Sequence, residues 1–241
     1  MKLVVLGSSS DGNCYLLDSG NEILVLEAGL PFRNVKEAID YQTSKIVGAL
    51  SSHSHLDHRK YLHEYVQAGI PTISDGVYRE GIFNVDYVAK SLVSMGNFEI
   101  QMFEVPHDVP CFGYVIHHPA MGKLVFVTDA MYIKYVFQKV NHIMVESNYS
   151  QDILDENMNS GVIPKSLRDR IMKSHMSFET AVGMVKANKN PQLKNVIMCH
   201  LSSRNSDKKR FTEDMQAIAG PCCNVTVAKK GVEVDLSLVP F

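Results

Sequence analysis

The sequence contains no Cys-x-x-C pair. Its five cysteines, Cys14, Cys111, Cys199, Cys222 and Cys223, are odd in number and scattered. That spacing argues against a disulfide framework and against a thiolate metal site, and it leaves buried, reduced thiols. No stretch approaches the roughly 20 apolar residues of a membrane span. The opening Met-Lys-Leu-Val-Val-Leu-Gly is too short an apolar run for a signal peptide. A cytoplasmic protein with no membrane partner is expected. Charge of one sign is lacking too: 24 Lys and Arg against 26 Asp and Glu give a net charge of −2 and a pI near 6.5. No global basic field announces a nucleic acid, and any such partner needs a local patch. Repeats, low-complexity tracts and Pro/Gly/Ser-rich linkers are missing as well, so residues 1–241 are read as one domain. At 45% hydrophobic and 21% charged, the chain can bury a sizeable core.

What is present is concentrated in residues 50–58, Leu-Ser-Ser-His-Ser-His-Leu-Asp-His, which place His53, His55, Asp57 and His58 within six positions. The apolar run Ile46, Val47, Ala49 and Leu50 comes immediately before and reads as a buried strand. His53 and His55 are two apart, so in extended backbone both imidazoles point to the same side. Asp57 and His58 fall where a helix begins. Imidazole with carboxylate suits zinc, manganese or iron better than calcium or magnesium, which prefer oxygen shells. The cluster reads as a metal site.

The rest of the chain alternates strands and helices. Strands are expected over 2–6, over 14–18 with 22–26 as a hairpin, and over 71–73, 98–105, 111–117, 123–128, 143–145 and 195–199. The segments 224–227 and 231–236 are read as a final strand pair. Helices are expected over 34–41, from residue 61 to Gly69, and over 76–82, 150–158, 164–173, 177–188 and 207–219. His53, His107, Asp129 and His200 each follow a hydrophobic strand directly, as do Glu146 and Asn148. In sheets with helices on their faces, ligand sites gather outside the carboxyl ends of the strands. Other conspicuous residues read as ordinary: His117 and His118 as exposed neighbours of a hairpin turn, His63 as surface, and Cys199 as pointing into the core.

The order His-x-His-x-Asp-His at 53–58, then His107, Thr128-Asp129 and His200, resembles the metallo-β-lactamase superfamily. More narrowly, the chain is similar to its YycJ-type (WalJ-type) branch of small metallohydrolases. Gly7-Ser-Ser-Ser-Asp-Gly-Asn13, Leu26-Glu-Ala-Gly29, Glu146-Ser-Asn148, Ser174-His-Met-Ser177 and Cys199-His-Leu-Ser202 carry that likeness. Glu27 stands where Asp is more usual, and Ser52 where Thr is; neither removes a ligand. The resemblance implies an α/β fold, an αβ/βα four-layer sandwich with two central mixed sheets flanked by helices. It implies that His53, His55 and His107 hold one divalent ion, that Asp57, His58 and His200 hold a second, and that Asp129 bridges them. Zinc suits this set, and manganese or iron is also admitted. Two ions about 3.5–4 Å apart would activate a bridging hydroxide for in-line displacement. Asp57 could orient that nucleophile, and His175 would meet the substrate phosphate or aid the leaving group. Glu146 would support the ligands, and Asn148, Ser202 and Arg204 would touch substrate.

The branch resemblance implies a 5′-to-3′ DNA exonuclease. A small-molecule metallohydrolase, such as a lactonase or cyclic-nucleotide phosphodiesterase, is the alternative, since fold alone does not choose a substrate. Two local basic clusters bear on the choice: Ser202-Ser-Arg204 with Lys208-Lys-Arg210, and Arg168 with Arg170 near His175. A non-catalytic scaffold on the same fold would have lost metal ligands, and all seven are present.

Overall fold

The structure is a computed structural model describing residues 1–80, 83–87 and 92–239. The chain opens with an antiparallel meander of β1 (Lys2–Gly7), β2 (Cys14–Asp18) and β3 (Ile23–Leu26). Helix α1 (Phe32–Ala38) carries it to β4 (Ile46–Leu50), parallel to β3. Short helices α2 (Leu56–Arg59) and α3 (Leu62–Gln67) lead to β5 (Thr72–Ser74), and β6 (Val77–Glu80) and β7 (Phe83–Tyr87) extend the same sheet. The helix expected over 76–82 is therefore a strand over its first part, and residues 81–82 lie outside the described set. Asp75 and Gly76 both take left-handed backbone, φ 53° and 74°, and return the chain so that Ser74 pairs with Val77. An Asp-Gly pair in that conformation makes a two-residue hairpin turn, and the pairing it starts overrides helical propensity downstream.

The second sheet begins antiparallel, with β8 (Leu92–Met95), β9 (Phe98–Val105), β10 (Cys111–His118) and β11 (Gly122–Val127). It then grows by the parallel strands β12 (His142–Glu146), β13 (Asn195–Cys199) and β14 (Asn224–Val227). Between β12 and β13 run α4 (Gln151–Asn159), α5 (Lys165–Ser174) and α6 (Phe178–Asn188), and α7 (Lys208–Ala219) connects β13 to β14. Every residue of β12 and β13 is buried, as befits strands covered on both faces. The expected pair of 224–227 with 231–236 does not form. Strand β15 (Glu233–Asp235) crosses to the first sheet and pairs with β1. Gly231, at φ 85°, turns the chain there, and backbone bonds between Val5 and both Gly231 and Val232 hold the crossing.

Among the described residues the sheets have eight and seven strands. Leu3, Val5, Tyr15 and Leu17 of the first meet Phe98, Ile100, Tyr114 and Phe126 of the second in the central core. Outside the first sheet, Phe32, Val35, Leu62 and Tyr65 bring α1 and α3 down. Outside the second, Phe178 and Phe211 of α6 and α7 stack at 4.1 Å over Val125, Val145 and Met198. The result is the four-layer αβ/βα sandwich. The two sheets also meet by polar contacts: Tyr114 Oη donates to Ser51 O at 2.7 Å and Phe112 N–H to Ser52 O at 3.0 Å. Neighbours on a strand face opposite ways, and this corrects one expectation. His117 is exposed, but His118 is buried with Nε2 3.0 Å from Glu22 Oε1, while its Nδ1 accepts from Ala120 N–H. His63 is exposed and Cys199 buried in the central core, as expected.

Candidate metal centre

The polar residues singled out from the sequence come together along one edge of the sandwich, on loops that leave the carboxyl ends of β4, β9, β11, β12 and β13. Backbone bonds join the loops. Asn13 N–H donates to Asp57 O at 2.7 Å, Gly29 N–H to Asn13 O at 3.0 Å and Ala28 N–H to His58 O at 2.7 Å. The 53–58 segment is thus fastened to the loops after β1 and β3. Gly29 is needed for this closeness, because a Cβ there would lie 1.7 Å from Asp57 O.

Ligand-type atoms converge in three overlapping groups, each within 4.8 Å: His53, His55, His107 and Asp129; Asp57, His58, Asp129 and His200; and Asp129, Glu146, His175 and His200. Asp129 is common to all. Its Oδ2 lies 3.8 Å from His53 Nε2, and its Oδ1 lies 3.4 Å from His58 Nε2. Oδ1 is also 2.5 Å from His200 Nδ1, without the geometry of a hydrogen bond. Several imidazoles are turned by their outer nitrogens. His107 Nδ1 donates to Ser174 O at 2.7 Å, which leaves the Nε2 lone pair facing inward, 3.3 Å from His55 Nδ1. His53 Nδ1 contacts Ser52 Oγ at 2.9 Å, and its Nε2 is buried with no hydrogen-bond partner among the described residues. A buried, unpartnered nitrogen beside a carboxylate costs free energy unless something binds it. Divalent cations fit this donor set of imidazole nitrogens and carboxylate oxygens, with His53 and His107 held from behind as metal-binding histidines are.

The electrostatics divide the site. Burial, with His58 nearby, pushes His53 down to about 2, and burial lowers His107 against the pull of Asp129. These two are neutral imidazoles. Burial also opposes charge on His58 and His200, but the Asp129 carboxylate outweighs it and raises both well above the usual value. Asp129 and Asp57 are held low despite burial, by His200 and His58. Protons on one half of the site thus balance its carboxylates, and cations would displace them. Three residues here, Glu27, Asp129 and His200, are in left-handed backbone at φ 64°, 43° and 51°. Such non-glycine conformations gather at functional sites.

Around the centre, two buried carboxylates brace the histidines. Glu27 accepts from Ser52 N–H and lies 3.5 Å from His58 Nδ1. Glu146 Oε1 is 2.7 Å from His175 Nδ1, and its Oε2 accepts from Met176 and Ala130 N–H. Asn148 is nearly buried and its side chain donates to His200 O. Ser202 Oγ accepts from Arg204 and Asn205 N–H, so both residues also shape the His200 loop. Sequence reasoning passed over two of these braces. Glu27 was legible only as a family position, and Asn13 only as part of a loop. Yet Asn13 Nδ2 lies 3.3 Å from Asp57 Oδ2 and 3.0 Å from His58 Nε2.

A hollow of about 620 Å³ opens above the centre. His55, Asp57, Asp129, His175 and His200 form its floor, and Asn148, Ser202 and Arg204 line it too. Neither of the two basic clusters lies wholly at the hollow. Arg170 lines the hollow, but Arg168 pairs with Asp155 and Asp169. Lys208, Lys209 and Arg210 do not line it, and Arg210 pairs with Asp152.

No family model matches the chain. It is similar to the exodeoxyribonuclease YycJ of Bacillus anthracis, 24% identical over 234 residues that cover 85% of this chain and 84% of the relative. The exodeoxyribonuclease WalJ of Streptococcus pneumoniae serotype 2 (strain D39) is 23% identical over 231 residues, covering 86% and 84%. Among solved structures, the metallo-β-lactamase fold protein YhfI of Bacillus subtilis superposes with a TM-score of 0.71 at 16% identity, over 97% of this chain and 98% of that one.

Proposed function

From its metallo-β-lactamase fold and its likeness to relatives named exodeoxyribonucleases, we propose that this protein is a two-metal hydrolase that cleaves phosphodiester bonds in DNA from an end, in the 5′-to-3′ direction. The observation that carries the reading is the pair of four-residue groups meeting at Asp129. In it, His53, His55 and His107 would hold one ion and Asp57, His58 and His200 the other, with Asp129 shared. Zinc is the first choice, and manganese or iron suits the same donors. Divalent ions so held supply Lewis acidity toward a phosphoryl oxygen and a water of lowered pKa.

The chain's own residues do the rest. Asp57, on the floor of the hollow with Oδ2 3.2 Å from His58 Nε2, would orient the attacking water and take up its proton. His175 would protonate the leaving oxygen. Glu146 takes its Nδ1 at 2.7 Å, and that fixes the ring and leaves Nε2 for donation. Asn148, Ser202 and Arg204 would meet the substrate beside the scissile phosphate.

The reading is tested by hydrolysis of end-labelled single- and double-stranded DNA, with wild type beside Asp57→Ala after metal reconstitution. Mononucleotides should appear from one end with wild type, and at a rate lower by at least about a hundredfold with the variant. Turnover of bis(p-nitrophenyl) phosphate or a simple lactone with DNA left intact would overturn the nuclease reading in favour of a small-molecule hydrolase.

A further inference from the structure

The chain has seven arginines: Arg33, Arg59, Arg79, Arg168, Arg170, Arg204 and Arg210. Five are committed within the protein. Arg33 pairs with Glu37, Arg59 with Asp75, Arg168 with Asp155 and Asp169, and Arg210 with Asp152, while Arg79 donates to Ser74. Arg170 and Arg204 are exposed, and their guanidinium groups have no hydrogen bond or ion pair among the described residues. These same two line the hollow over the metal centre. They approach from different elements, Arg170 from the last turns of α5 and Arg204 from the loop after His200. A planar guanidinium left unpaired beside a phosphoryl-transfer centre is suited to bidentate capture of phosphate.

The rest of the hollow narrows what the phosphates belong to. Its wall beneath Arg170 is aliphatic, made by Ile163, Leu167 and Ile171, and Leu167 and Ile171 share one face of α5 at i, i+4 spacing. Among the described residues, no Phe or Tyr lines it. A base can lie against such a wall, but nothing there reads its edge. Asp11 also lines the hollow, on the loop after β1. At about 620 Å³ the space matches a ligand of one or two nucleotides.

We propose that Arg170 and Arg204 clamp the backbone phosphates flanking the scissile bond, and that the site admits a single unpaired strand end with its bases against Leu167 and Ile171. This rests on the nuclease reading above and adds to it the form of the substrate and a residue, Arg170, that sets its position.

The test is steady-state kinetics of the metal-loaded protein on a short single-stranded DNA over a series of salt concentrations. Arg170→Gln and Arg204→Gln should each raise KM about tenfold, with a much smaller change in kcat. Each should flatten the slope of log(kcat/KM) against log[salt] by about 0.7, the share of one phosphate contact on a single strand. Arg170→Lys should keep the slope and recover only part of KM. Arg168→Gln, whose partner is Asp155, should leave both quantities as in wild type. A blunt duplex of the same sequence should be a poorer substrate than the single strand. Wild-type KM and slope in both glutamine variants would overturn the clamp while the nuclease reading stood, as would an equal effect of Arg168→Gln. Equal turnover of the blunt duplex would overturn the unpaired-end form. Wild type that cleaves no polynucleotide would remove the nuclease reading and the clamp with it.

Discussion

Single residues carry the most exact expectations. His142 is buried at the start of β12. Its Nε2 donates to Met121 O at 2.9 Å, while Nδ1 accepts from Asn195 Nδ2 at 2.9 Å. Burial pushes its pKa from 6.5 to about 4. Below pH 6.5 the unfolded chain takes up a proton that the folded chain refuses until about pH 4. Stability is therefore full above 6.5 and falls through that window, by up to about 3 kcal/mol. His142→Gln removes the titration, so urea unfolding should show the variant less stable than wild type at pH 7.5 and the gap narrowed at pH 4.5. A gap independent of pH would sink this account. Glu27 gives a second expectation. Without its charge, His58 loses the carboxylate 3.5 Å from Nδ1. Glu27→Gln should then weaken metal binding about 10- to 100-fold, read by competition with a chelating dye on the folded variant.

At the scale of elements, the centre depends on loops held edge to edge. Gly29→Ala would drive a methyl group into Asp57 O and Asn13 N–H, two partners of the same suture. The expected cost is about 1–3 kcal/mol, with metal stoichiometry falling along with the melting temperature. An alanine variant that binds metal as wild type does would show that the loops separate without consequence. The elements also show what could be read in advance. His53, His55, Asp57 and His58 lie in one six-residue run, so chain geometry alone makes them neighbours. His107, Asp129 and His200 could be placed because each ends an apolar strand, and strands in such sheets end together. The partner of β15 was not legible, because pairing with β1 is decided by what the central core leaves open. Nor could the fates of Arg168 and Arg170 be separated. Two positions apart on a helix they point to different sides, and only the location of Asp155 shows which one is consumed. The Asp75-Gly76 pair is a hairpin signal that the helix expected over 76–82 passed over, and in the fold the turn prevails.

For the molecule as a whole, the candidate ligands come from both halves of the sandwich. His53, His55, Asp57 and His58 follow β4 of the first sheet, and His107, Asp129 and His200 follow β9, β11 and β13 of the second. Ions bound there would join the two sheets at an edge already linked by Tyr114 and Phe112 to Ser51 and Ser52 and by His200 N–H to Ser8 Oγ. Metal at a hundredfold over its dissociation constant should stabilise the fold by about 2.7 kcal/mol. Chelation should therefore lower the melting temperature by about 5–10 °C for a chain of this size, and readdition should restore it. A melting temperature indifferent to chelator, with metal shown to leave, would mean that the centre adds nothing to cohesion.

The left-handed backbone at Asp129 has a consequence for how such a protein changes over generations. Glycine and asparagine relax that conformation most readily, with a gain of order 1 kcal/mol or less, and both abolish the shared carboxylate. Substitutions that ease the backbone there silence the chemistry, and those that keep a longer acid worsen the strain. Descendants released from selection for catalysis would drift toward sturdy, inert copies of the scaffold, with position 129 among the first to turn.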